Sequence, residues 1–216
     1  MNNAYELAVA HCRVPDAYSA DGFRLNYPRR AQFVRAYSWA IPNAAAIQAL
    51  VVLSPLIEIG AGTGYWAKLV ADAGGVIVAF DVVPPGSKLP LGYRQRCLHY
   101  PVFIGDHEKL RAHPDRALFL CWPPYNDPMA ANCLREFSGV RFAYVGEWDG
   151  GCCGGEDFWD LVGEGWDVEY EIALEQWDGM HDAFYILLRR SAPRVRIDHG
   201  TSWHEWAEAL QERNPT

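Results

Sequence analysis

The sequence predicts an α/β fold, a largely parallel sheet with helices on both faces. Three observations carry this. An apolar run, Leu56-Ile57-Glu58-Ile59, breaks into a glycine turn, Gly60-Ala61-Gly62-Thr63-Gly64, that opens a helical stretch at Tyr65-Trp66. A second run, Val76-Ile77-Val78-Ala79-Phe80, follows at the spacing of a strand-turn-helix-strand unit and ends in the acidic Asp81. Further on, Ala117-Leu118-Phe119-Leu120-Cys121 is apolar without interruption, as a central parallel strand covered on both faces requires.

Taken in order, residues 1–27 carry weak periodicity, with Pro15, Gly22 and then Pro28 as punctuation, and suit a lid or substrate cap. The stretch 29–37 reads as a helix with Phe33, Val34 and Tyr37 on one face. Pro42 breaks it, and Asn43 caps a second helix through Ala44 to Leu50. Tyr37 and Trp39 are candidates for the core or, on the family resemblance that the glycine turn carries, for the pocket. After the glycine turn a helix runs from Tyr65 to Ala73, and Gly74-Gly75 turns the chain into the second strand. The region 82–97, rich in Pro and Gly, reads as an irregular loop. Val102-Phe103-Ile104 forms a third strand ending at Gly105-Asp106, where Asp106 fits either a ligand contact or a cap ahead of Glu108-Lys109-Leu110. The fourth strand must stop at Trp122-Pro123-Pro124-Tyr125, because proline has no N–H for the ladder.

Asp127-Pro128 predicts the start of a helix through Met129 to Phe137, and Phe142 to Val145 a fifth strand that closes at Gly146-Glu147-Trp148. The glycine-dense stretch 149–155 suits a mobile flap or a passive linker. A short helix over Glu156 to Val162 precedes a half-solvated strand, Trp166 to Ile172, whose partner is Phe184 to Leu188. In the tail, Ser202 and Glu205 form a capping box, and Trp203, Trp206 and Leu210 recur at helical spacing, to dock on the sheet or on another subunit. The expected organisation is an N-terminal cap (1–54), a core (55–190) and a C-terminal helical tail (191–216) within one structural domain.

The glycine spacing narrows the ligand. A dinucleotide fingerprint needs glycine or alanine five positions after Gly60, where Tyr65 stands, and no Lys-Ser/Thr pair is present to hold a triphosphate. The Glu58-x-Gly60-x-Gly62-x-Gly64 turn instead resembles motif I of the class I S-adenosylmethionine-dependent methyltransferases. The resemblance covers about Leu56 to Leu188. It implies a Rossmann-like seven-stranded mixed sheet, order 3-2-1-4-5-7-6, with S-adenosylmethionine at the carboxyl edge. The cofactor-binding residues it implies are Glu58, Gly60, Ala61, Gly62 and Gly64 at the turn, Asp81 for the ribose, Asp106 for the adenine, and Cys121. A carboxylate suits the ribose because it accepts from two neighbouring hydroxyls at once.

Trp122-Pro123-Pro124-Tyr125 resembles motif IV of the amino methyltransferases, where the first residue accepts a hydrogen bond from the target amine and the Tyr ring stacks on a flat substrate. Here the first residue is Trp122, which carries an indole donor and no acceptor. The departure counts against a nucleobase amine and leaves Trp122 and Tyr125 as an aromatic wall for a planar or cationic acceptor. Glu147, at a strand's carboxyl end, and His181, between the last two strands, are candidates for managing a proton. Direct in-line displacement depends mainly on alignment and exclusion of water, so such a base is optional.

Composition bounds the acceptor. The 216 residues leave no room for a separate recognition domain, and 19 basic against 27 acidic side chains give a net charge of −8 that repels polyanions. A small-molecule acceptor is therefore expected. The alternatives are an amino methyltransferase acting on a nucleobase or protein side chain, and a catalytically silent cofactor-binding partner subunit. No basic, apolar leader opens the sequence and no stretch is long and apolar enough for a membrane span, so a cytoplasmic protein, with a homodimer as one option, is expected. The six cysteines are most simply reduced thiols; neither a Cys152–Cys153 bridge nor their joining His11 on a metal has supporting ligand spacing, and no metal is expected.

Overall fold

The computed structural model describes residues 3–12, 30–85, 97–193 and 203–213. Helices α1 (Ala4–Cys12), α2 (30–36) and α3 (Ala44–Leu53) precede β1 (Leu56–Ile59), α4 (Tyr65–Asp72), β2 (Ile77–Asp81) and β3 (Val102–Ile104). A 3₁₀ turn (His107–Ala112), β4 (Ala117–Cys121), α5 (Met129–Glu136), β5 (Arg141–Gly146) and α6 (Glu156–Gly165) follow, then β6 (Trp166–Ala173), β7 (Ala183–Arg189) and α7 (Trp203–Arg213). The strands form one seven-stranded sheet in the order β3-β2-β1-β4-β5-β7-β6. Only β7 runs antiparallel to its neighbours β5 and β6. This is the Rossmann-like order that the motif I resemblance implied.

The uninterrupted apolar runs have a direct cause. Side chains alternate across a sheet, so a strand covered on both faces must be apolar at every position. Phe119 of β4 packs with Leu50 of α3, Trp66 of α4 and Trp206 of α7 on one face. Its neighbours Leu118 and Leu120 pack with Leu134 of α5 and Phe158 of α6 on the other. Burial of a side chain such as the fully buried Phe119 is worth about 1.5–3 kcal/mol, so these two layers hold the helices on both faces of the sheet.

Local chemistry sets the element ends. Asn43 caps α3 by accepting from Ala46 N at 2.9 Å, and its amide donates to Ala173 O at 2.9 Å, joining α3 to the end of β6. Asp127 accepts from Met129 N at 2.9 Å at the start of α5. Three expectations need adjustment. The N-terminal stretch holds a helix, α1, whose Tyr5 and Val9 are buried with Ile41, Tyr65 and Trp177. The segment after Asp106 is 3₁₀ rather than α-helical. α6 runs to Gly165 and passes straight into β6.

In the tail, Trp206 and Leu210 are buried within this chain's own core, and the Trp206 ring lies 5.8 Å from that of Tyr170. Ser202 of the expected capping box, residues 13–27 of the expected cap and residues 86–96 of the expected loop lie outside the described residues, as do the His11 and Trp203 side chains. Cys152 and Cys153 are free thiols. Among the described residues no helix is long and apolar enough to cross a membrane.

Candidate functional site

The glycine turn hooks over the end of β2. Gly60 N and Ala61 N both donate to Phe80 O, at 2.8 and 3.0 Å, so the loop begins on the neighbouring strand's last peptide. Gly62 N donates to Asp81 Oδ2 at 2.8 Å, while Val83 N donates to Asp81 Oδ1 at 2.7 Å. One buried carboxylate thus ties the turn after β1 to the turn after β2. Each of its oxygens keeps a second lone pair for another donor. Gly60 has φ +81°, which demands glycine, and a Cβ there would also displace the tip of the Met129 side chain, 2.8 Å away.

Beneath this loop lies a cavity of about 490 Å³, within the ordinary range for ligand sites. It is lined by Glu58, Gly60, Ala61, Gly62, Asp81, Asp106 and Cys121 from the predicted cofactor set, and by Trp122 from the predicted acceptor set. Glu58 is 1% exposed and its Oε2 makes no hydrogen bond. Burial, and then the charge of Asp81, push its carboxyl well above the usual range. The Cys121 thiol is pushed up as well, by burial first and the neighbouring Glu58 next. Asp106 takes the cap role, accepting from Glu108 N at 3.0 Å, and also lines the cavity.

The segment after α2 covers the loop. Thr63 Oγ1 donates to Tyr37 O, His99 N donates to Thr63 O at 2.9 Å, and His99 Nε2 lies 2.6 Å from Ala36 O. Tyr37, Ser38 and Trp39 thereby line the cavity from above. At the far end Trp122 sits at φ +51°, its N–H donating to Val145 O at 2.7 Å. Its indole Nε1–H donates to Asp182 Oδ2 at 3.1 Å, and its ring stacks on Trp39 with centroids 5.5 Å apart and planes 17° from parallel. The Arg30 guanidinium carbon lies 5.2 Å from both ring centroids. Asp182 is 2% exposed; burial raises its carboxyl pKa, with the Trp122 hydrogen bond opposing.

Four predicted residues stand outside the cavity lining. Gly64 caps α4 at φ +71° and faces the other way, a Cβ there meeting Tyr100 O at 3.0 Å. Tyr125 is 72% exposed, because the turn after Pro124 swings its ring to the surface. Glu147 is buried but occupied: Cys152 N donates to Oε2 at 2.7 Å and His181 N to Oε1 at 2.9 Å. Burial alone would raise the Glu147 pKa, yet those two backbone donors leave it below the ordinary carboxylate value. The His181 side chain is 83% exposed, its Nδ1 lying 3.7 Å from Glu147 Oε1.

Several lining residues were not among the candidates. Thr63 and Trp66 follow directly from the turn, whereas Asp127, Met129 and Asn132 at the start of α5 line the cavity because β1 and β4 are adjacent. An acid next to the Pro-Pro turn was the available signal for Asp127. Nothing local pointed to the Asp182 or Arg30 contacts with Trp122.

No family model and no curated protein matches the chain. Solved structures that resemble it include the magnesium protoporphyrin IX methyltransferase ChlM from Synechocystis PCC 6803 with bound SAM, at 12% identity, covering 88% of this chain and 98% of that one, TM-score 0.45. The glycopeptide N-methyltransferase MtfA with S-adenosylhomocysteine is similar over 68% of this chain and 90% of that one, at 13% identity and TM-score 0.41. So is M. capricolum TrmK with the same product, over 69% of each chain, at 8% identity and TM-score 0.41.

Proposed function

We propose that this chain is an S-adenosylmethionine-dependent methyltransferase acting on an oxygen or nitrogen of a small molecule. The observation that carries this is the Asp81 carboxylate bound to Gly62 N, 2.8 Å away, at the rim of a cavity floored by bare glycine backbone. The residues fit the cofactor. Asp81 would take the ribose hydroxyls on its remaining lone pairs, Glu58 Oε2 the amino group of the methionine part, and Asp106 the adenine. When bound, S-adenosylmethionine supplies an electrophilic methyl group on a sulfonium centre.

The chain's own residues then work by placement. Gly60 to Gly62 let the main chain approach closely, Tyr37 to Trp39 exclude water from above, and Trp122 forms the far wall. These walls would align an acceptor oxygen or nitrogen with the methyl group that the bound cofactor would supply. A proton carried by the acceptor leaves to water. Glu147 stands outside the cavity lining, its oxygens turned to backbone N–H groups, so no side-chain base is assigned to that step.

Support for a small acceptor comes from the net charge of −8 and from Trp122, whose indole N–H is committed to Asp182 and offers nothing to a target amine. Titration calorimetry with S-adenosylhomocysteine, followed by turnover of labelled cofactor against small-molecule, nucleic acid and peptide acceptors, tests the reading. Micromolar binding with transfer to small molecules alone is expected. Absence of binding would end it, and binding with no transfer to any acceptor would leave a silent cofactor-binding subunit.

A further inference from the structure

We propose that the acceptor is a flat, electron-rich aromatic molecule, neutral or anionic, that replaces the Trp39 indole on the face of Trp122, beneath the Arg30 guanidinium. This rests on the methyltransferase reading and deepens it. Trp39 is 44% exposed, yet it lies nearly parallel to Trp122 in a stacked pair at the acceptor end of the cavity. A large aromatic side chain that is close to half solvated gives up little apolar burial when it leaves its partner. The ring of Trp122 does not follow, because its indole N–H is anchored on the buried Asp182. One member of the pair is fixed and the other is exchangeable, so Trp39 stands where a planar ligand would stack.

Arg30 sets the electronic character of that ligand. Its guanidinium carbon lies 5.2 Å from both ring centroids, and among the described residues its Nε and Nη2 are buried without a hydrogen-bond partner. An incoming ring that keeps the cation–π contact must be electron-rich, an anionic substituent supplies the acceptor those nitrogens lack, and a cationic substituent is repelled. A cationic substituent is thereby disfavoured where it meets the guanidinium, the Asp182 carboxylate, whose Oδ1 has no partner among the described residues, being buried at the indole N–H of Trp122.

The test measures affinities of the full chain by calorimetry, with and without saturating S-adenosylhomocysteine. Three matched probes are used: 4-hydroxybenzoate, 4-hydroxybenzylamine and trans-4-hydroxycyclohexanecarboxylate. The flat anion should bind about two- to tenfold more tightly than its saturated counterpart, and by at least that margin over the amine. Trp39→Ala and Trp39→Leu should both tighten 4-hydroxybenzoate about two- to tenfold by removing the competing indole. Arg30→Gln should erase the preference for anion over cation, and Arg30→Lys should keep it. Affinity for S-adenosylhomocysteine reports that each variant is folded. Equal binding of all three probes, or weaker 4-hydroxybenzoate binding in both Trp39 variants with cofactor affinity intact, overturns the proposal. If S-adenosylhomocysteine fails to bind wild type, the methyltransferase reading falls, and the probe ranking without cofactor still judges the stacking site.

Discussion

The two ends of the cavity are built differently. At the β1–β2 end, the contacts of the Asp81 carboxylate are close in sequence: Gly62 and Asp81 are 19 residues apart and Asp81 and Val83 only 2. At the β4–β5 end the decisive contacts span the chain, Trp122 and Asp182 being 60 positions apart and Glu147 and His181 34. The first end is a local backbone device that one strand-turn-helix-strand unit specifies. The second exists only once the sheet has brought β4, β5 and the β6–β7 connection together. Chemistry held in common should then reside at the first end and acceptor choice at the second.

The largest effect that would test this division is on Asp81. Asp81→Asn sets an amide NH₂ against Gly62 N–H or Val83 N–H and removes the charge from the proposed ribose contact. Hydrogen bonds to charged groups are worth about 1.5–3 kcal/mol, so calorimetry should show S-adenosylhomocysteine affinity falling on the order of 100-fold. If the two ends are as separate as their contacts indicate, the ranking of acceptors at saturating cofactor stays unchanged. A variant that binds cofactor normally would break the comparison outright.

The same contrast explains what was legible in the sequence. The strands from Leu56 to Leu188 and the glycine turn could be read because periodicity and spacing are local, and the sheet order came with the motif I resemblance. Asp106 was readable as a cap for the same reason. Helix α1 was not, since Leu7 is 48% exposed and interrupts the stripe that Tyr5 and Val9 bury. At the β4–β5 end, Glu147 and Trp122 could be placed at strand termini but not oriented. Which way each side chain turned depended on Cys152 N–H, His181 N–H and Asp182, none adjacent in sequence. Tyr125 followed a motif whose ring faces the substrate, and the backbone around Asn126, at φ +54°, takes it to solvent instead.

Glu147 gives the next effect, and it is one of stability. Glu147→Gln leaves an amide NH₂ facing Cys152 N–H or His181 N–H, and an unsatisfied buried donor costs about 1–3 kcal/mol, which urea denaturation at neutral pH should reveal. The sign of its pH dependence follows from the lowered pKa. The folded state holds the ionised form more strongly than the unfolded chain does, so the wild-type advantage is full above the ordinary value of 4.5 and lost as pH falls through the folded pKa. Parallel denaturation curves should therefore converge below about pH 4.5. An advantage constant down to pH 3 would mean that the two backbone hydrogen bonds do not depend on the charge.

Trp122→Leu sharpens the comparison from the acceptor side. The stack on Trp39 and the hydrogen bond to Asp182 are both lost, while Gly60 to Gly62 and Asp81 keep their contacts. Aromatic pairs contribute about 0.5–1.5 kcal/mol, so kcat/KM for an aromatic acceptor should fall about two- to tenfold with S-adenosylhomocysteine affinity unchanged. A matching loss of cofactor affinity would show that the two ends act as one unit.

The smallest effect is expected at His181, and it decides whether this half of the cavity contains a base. Its backbone N–H is the useful group, donating to Glu147 Oε1, and any residue supplies that. Its imidazole is 83% exposed, lies outside the cavity lining and has no described contact with Trp122 or Asp182. General acid–base catalysis contributes about 10²- to 10⁴-fold where a side chain performs it. His181→Ala should therefore leave turnover within about twofold of wild type, far below that range, with the pH–rate profile unaltered. A loss of 100-fold or more would mean that the β6–β7 connection folds inward when the acceptor binds and delivers the imidazole to the reacting atom. The exposed position would then be one state of a closing loop, and the acceptor end of the site would be completed by its substrate.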